Sequence, residues 1–151
     1  MADKVSTSAL LKRIIQTKNL TVFLRRNEQH MRPTDFCTRL KAICEERGLV
    51  AERVILQSQI ERTYGHQLFN GIRRPSRDKV LQIAIALGLS VEETQQLLRS
   101  AAKSPLYPRL KRDAAIIYCL KNGLSMIETQ EMLNNHGMTL LGDVKKDAEN
   151  N

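Results

Sequence analysis

The chain has 151 residues, 42% hydrophobic and 26% charged, which is the balance of a folded globular chain with one domain or one domain plus an appended piece. Aromatic residues make up only 4% and tryptophan is absent, so Leu, Ile, Val, Ala and Met must fill the core, a composition that suits helices. The formal net charge of +8 points to a polyanionic partner, nucleic acid being the usual one, and no run approaches the ~20 apolar residues of a membrane span, so no membrane partner is expected.

The predicted elements begin with two helices at about 6–17 and 20–30. Leu10, Leu11, Ile14 and Ile15 form an apolar face on the first, and Val22 and Phe23 serve the second. This stretch lacks the long apolar run of a signal peptide, and residues 1–33 hold seven Lys/Arg against two acids. A helix over 34–47 follows, with Thr34 as its cap and Phe36, Leu40, Ile43 and Cys44 as its buried stripe. Cys37, Cys44 and Cys119 make an odd count without paired spacing. That argues against a disulfide framework and for a reducing, cytoplasmic compartment, with the thiols in the core and not on a metal.

Short helices are predicted at 51–58 and 61–70. Ser76 caps a helix at 77–87 with Val80, Ile83, Ala84 and Leu87 on its stripe, and a Ser90/Glu93 capping box opens another that reaches about 102. Pro105 and Pro108 sit in a connector, followed by helices at 110–122 and 126–136, the latter with a Ser125/Glu128 capping box. Gly48, Gly71, Gly88, Gly123 and Gly137 each end a helical pattern. Residues 142–151 are polar with no face to bury, and disorder is expected there. No alternating run supports a strand.

An internal echo relates residues 77–98 to 112–133, with nine identities in 22 positions. Capping grammar accounts for Gly88/Gly123, Ser90/Ser125 and Glu93/Glu128. It does not account for Arg77-Asp78/Arg112-Asp113 or Thr94-Gln95/Thr129-Gln130. A repeated helical hairpin is expected, whose second copy either extends the core or makes an interface.

Residues 49–76, LVAERVILQSQIERTYGHQLFNGIRRPS, form two short helices around a tight turn with an Asn-Gly stop and a basic exit. This stretch resembles the DNA-reading core of the phage-repressor-like helix-turn-helix proteins of the Xre family. The resemblance spans about residues 34–102. It implies an all-α fold: a repressor-like five-helix helix-turn-helix domain at 34–103, with N-terminal helices at 1–33 for interaction or dimerisation and a C-terminal helical hairpin at 104–141. Val54, Ser58, Ile60, Tyr64 and Leu68 fall at the family's apolar or small positions. Arg62, Thr63, His66 and Gln67 match the outward positions of its recognition helix, where Arg can grip guanine, Gln can grip adenine, and Thr can touch base or phosphate. Asn70 either meets a phosphate or caps the helix end, and Arg73, Arg74, Arg77 and Lys79 form a basic cluster for phosphates.

Three residues depart from the pattern. Ala51 stands where a polar residue is common. Glu61 takes the usual Ser/Thr cap, where it suits the helix dipole. Gly65 replaces an apolar residue and permits a close approach of either a helix or DNA.

The resemblance implies a transcriptional regulator of bacterial or phage type that binds double-stranded DNA as a homodimer, without a cofactor. The alternative is a protein-interaction module, antitoxin-like or an adaptor, that uses the fold as a scaffold and the flanking helices as its interface. No Gly-rich phosphate loop, paired helical His, Cys-x-x-Cys or nucleophile elbow is present, so catalysis is not expected.

Overall fold

The computed structural model of the protein describes residues 5–30 and 36–142. Among them the chain is all-helical, with nine α-helices and no strand. The predicted cap at Thr34 lies outside the described residues, as does the expected disordered tail apart from Gly142. The chain divides into two units, Met1–Pro33 and Thr34–Asn151.

In the first unit, α1 (Thr7–Gln16) and α2 (Leu20–Arg26) both begin at side-chain caps. Ser6 accepts from the Ala9 amide and Asn19 from the Val22 amide. The helix predicted over 20–30 ends at Arg26, with Asn27 as its C-cap. The Asn27 side-chain and backbone amides both donate to the Phe23 carbonyl, and a 3-10 turn follows at Glu28–His30. Phe23 is buried, but Leu11, Ile15 and Val22, expected on buried faces, are exposed. So short a unit encloses too little interior to cover them.

The second unit contains α3 (Phe36–Arg47), α4 (Ala51–Ser58), α5 (Arg62–Phe69), α6 (Arg77–Leu87), α7 (Val91–Ser100), α8 (Lys111–Lys121) and α9 (Met126–Asn135). At its centre is α6. Its predicted stripe broadens to include Leu81, Gln82 and Ile85, so seven of its eleven residues are buried. A helix apolar around most of its circumference belongs inside, and α4, α7 and α9 all pack on it. Leu40, Val54, Leu68, Leu81, Leu97, Ile116 and Leu133 bring α3 to α9 into one continuous core. Burying each such side chain contributes roughly 1.5–3 kcal/mol. Cys37, Cys44 and Cys119 are buried too, and burial pushes the Cys44 and Cys119 thiols up.

The internal echo is a structural repeat, and its second copy extends the core. Both capping boxes form, and Gly88 and Gly123 take the same left-handed conformation at the ends of α6 and α8 (φ 66° and 63°). The repeat continues past the sequence identities into the loops. Gln95 holds the amide and carbonyl of Leu106, and Gln130 holds those of Leu141 in the same way. Arg77 donates to the carbonyls of Ser104 and Pro105, as Arg112 does to those of Thr139 and Leu140.

The two copies are joined crosswise. Arg77 forms a bidentate pair with Asp113 (2.9 and 2.8 Å), and Arg112 forms one with Asp78 (3.0 and 2.9 Å). The exchange is reciprocal, as across a two-fold axis. It supplies the physical reason for the Arg-Asp identity that capping left unexplained. Burial pushes the Asp78 and Asp113 carboxyls up. The arginine bonds, the loop amides of Gly142 and Tyr107, and the arginine charges outweigh it, so both lie below the usual carboxylate range.

Candidate nucleic-acid interface

Two short helices and their turn position the candidate residues. α4 ends at Gln59, which takes the left-handed conformation (φ 60°) without being glycine. Val54, Ile55, Ser58, Ile60 and Leu68 are buried around this turn and Tyr64 is half-buried. The Ser58 hydroxyl donates to the Ile55 carbonyl (2.7 Å), while the Ser58 carbonyl accepts from the buried Gln82 amide (3.0 Å), which ties the end of α4 to α6. A Cβ on Gly65 would lie 2.5 Å from Ile55 Cγ2 and 2.8 Å from Cγ1. Gly65 therefore serves the close approach of α4 and α5, one of the two roles its sequence position left open.

The helix predicted over 61–70 forms between Arg62 and Phe69, with the two outer residues acting as caps. Both Glu61 carboxylate oxygens accept backbone amides, from Thr63 and Tyr64 at 2.9 Å each. These bonds, Tyr64's first, hold its carboxyl below the ordinary value. At the other end the Asn70 amide donates to the carbonyls of His66 and Leu68. Asn70 itself is exposed.

The outward face separates into two groups. In the first, Arg62 and His66 converge on Glu52, which stands in the first turn of α4. Arg62 donates from Nε (3.1 Å) and Nη2 (2.8 Å) to Oε1, and His66 Nε2 lies 2.7 Å from the same oxygen. The Arg62 and His66 hydrogen bonds and their charges pull the Glu52 carboxyl down to about 2, and Glu52 in turn raises Arg62. Thr63 is exposed beside them.

In the second group, Arg73 Nε donates to Gln67 Oε1 (2.8 Å), and its guanidinium lies 5.5 Å from the Tyr64 ring centre. Lys79 Nζ lies 5.9 Å from the same ring. One half-buried aromatic thus carries two cations on an exposed face. Arg74 is exposed next to Arg73, and both line a concave surface with Gly71 and Pro75. Arg77, expected in this cluster for phosphate contact, is committed to the fold instead. Its guanidinium makes four hydrogen bonds, to Asp113 and the 104–105 carbonyls, and among the described residues no comparable set engages Arg73, Arg74 or Lys79.

Glu52 and the ring of Tyr64 are the organising residues that sequence reasoning missed. Glu52 is ten residues from Arg62, with a turn between them, so no helical spacing links the two. Tyr64 was legible as a packing residue, but its role under Arg73 and Lys79 depends on how the 70–76 loop folds back.

Among the described residues no group of three or more His, Cys, Asp or Glu is placed to hold a metal ion, and no helix is long and apolar enough to cross a membrane. No protein-family model matches the chain, and no curated protein or solved structure matches it significantly.

Proposed function

We propose that the protein is a sequence-specific DNA-binding transcriptional regulator of the Xre helix-turn-helix type, acting in the cytoplasm as a homodimer. α5 enters the major groove and α4 braces it. Arg62, Thr63, His66 and Gln67 meet base edges, while Asn70, Arg73, Arg74 and Lys79 meet phosphates. The observation that carries the reading is the pairing of exposed Arg62 and Thr63 at the start of α5 with a neighbouring basic group, Arg73 and Lys79 over the Tyr64 ring and exposed Arg74 beside them. A net charge of +8 supports it.

Anisotropy of a fluorescent duplex from the protein's own upstream region, against a scrambled duplex and across salt, tests the reading. Preference for the first duplex is expected. With three cations per protomer at phosphates, each protomer adds about −2.7 to the slope of log affinity against log salt. Equal, weak binding to both duplexes would refute specific readout.

One observation favours a second reading, a protein-interaction module. Tyr118 is 54% exposed on the C-terminal hairpin, where it lines a largely apolar open groove of about 500 Å³ with Ala114, Ala115, Met132 and Met138, flanked by Lys111 and His136. Failure to be retained on heparin at moderate salt would favour this reading over DNA binding.

A further inference from the structure

We propose that Glu52 is a positioning residue for base readout: it grips Arg62 by one edge of the guanidinium and so presents the other edge to a guanine. This rests on the DNA-reading function proposed above.

A guanidinium has two forked edges, one formed by Nε with Nη2 and one by Nη1 with Nη2. Glu52 takes the first, with Oε1 at 3.1 Å and Oε2 at 3.3 Å from Nε, and Oε1 at 2.8 Å from Nη2. The second edge is not taken by Glu52, and its two parallel N–H donors can match the O6 and N7 acceptors of guanine in the major groove. His66 braces the carboxylate at Oε1 (2.7 Å), so the grip is held from α5 at two points one helical turn apart.

Stability does not account for this arrangement. The Arg62, Glu52 and His66 side chains are 77%, 52% and 36% exposed, and exposed ion pairs add little to folding. What the grip does is restrict a long side chain in the unbound protein, so that less rotamer freedom is lost on docking. It also offsets a carboxylate charge that would otherwise oppose a phosphate backbone, and the pairing strengthens once a docked duplex excludes water.

The test uses the full-length chain, a duplex enriched by that chain from a random pool, and a scrambled duplex of the same composition. Wild type is expected to prefer the enriched duplex. Glu52→Gln is expected to lower that preference about ten-fold without weakening binding to the scrambled duplex, because it removes a negative charge from the face. In an Arg62→Ala background, Glu52→Gln is expected to leave the preference unchanged. Replacing the readout guanine with a deazaguanine lacking N7 should penalise wild type more than Glu52→Gln.

An undiminished preference in Glu52→Gln overturns the positioning role, as does an equal loss with and without Arg62. If wild type enriches no sequence, the DNA-reading function fails, and this inference fails with it.

Discussion

Gly65→Ala sets two opposing effects of known size against each other at the seat of the candidate recognition helix. Replacing glycine with alanine inside a helix stabilises it by about 1 kcal/mol when nothing else changes. Here the added carbon would lie 2.5 and 2.8 Å from two γ-carbons of Ile55, a residue only 3% exposed. Both atoms branch directly from Cβ, so rotating the side chain exchanges one clash for another, and a packed core must shift. Overpacking of this kind costs about 1–3 kcal/mol. With two contacts far inside van der Waals distance the upper part of that range applies, and a net loss of about 1–2 kcal/mol is expected. Urea denaturation followed by far-ultraviolet circular dichroism measures it. Ile55→Ala, which alone costs about 2–5 kcal/mol, should cost less in the Gly65→Ala background, because the new methyl then occupies vacated space. If Gly65→Ala is instead about 1 kcal/mol more stable than wild type and the two substitutions add independently, the helices do not approach as described and the reasoning is refuted.

Three further outcomes follow from other parts of the structure. Arg77→Ala leaves the Asp113 carboxylate buried without its guanidinium and should lower stability by about 3 kcal/mol in the same urea assay, with Arg112→Ala producing a parallel loss through Asp78. Near-wild-type stability in both would show the crosswise pairs to be incidental. The Asp78 and Asp113 carboxyls lie below their unfolded values, so their contribution is fully present above the unfolded carboxylate range, about pH 4, and is lost as pH falls through the lowered values. Urea midpoints should thus hold steady from pH 7 to about pH 5 and then fall, and a rise on acidification would contradict the assigned sign. Arg74→Ala should weaken binding to all duplexes alike and reduce the salt slope by about 1, whereas Arg62→Ala should relax sequence preference; equal loss on specific and random DNA for Arg62→Ala would remove its base-reading role.

The helical elements were legible because each is specified by nearby residues. Ser6, Ser76, Ser90 and Ser125 accept from amides three residues on, and glycines at 88 and 123 end the helices that lead into the repeated turns. Where local grammar was incomplete, boundaries moved. The α2 helix stopped at Arg26 with Asn27 as its C-cap, and α7 ended at Ser100 with Ala102 left-handed (φ 55°), although no glycine marked either spot. The second hairpin's place was legible only as a choice between core and interface, since a capping box specifies a helix start and not the neighbour it packs against.

What the sequence by itself determined about this protein is its helical class, the helix ends that carry a cap or a glycine, and its repeated hairpin, because caps, turn residues and apolar periodicity act within a few positions of one another. Only the tertiary structure decided how the charged side chains divide their work. Arg77 reads from sequence as one more member of a basic run, yet it pairs with an aspartate 36 positions away and joins the two repeats. Glu52 reads as a solvent-facing acid, yet it collects Arg62 and His66 from the next helix. A long flexible side chain carries no local signal of its partner, and the partner is set only when packing of the apolar faces has fixed which helices lie side by side.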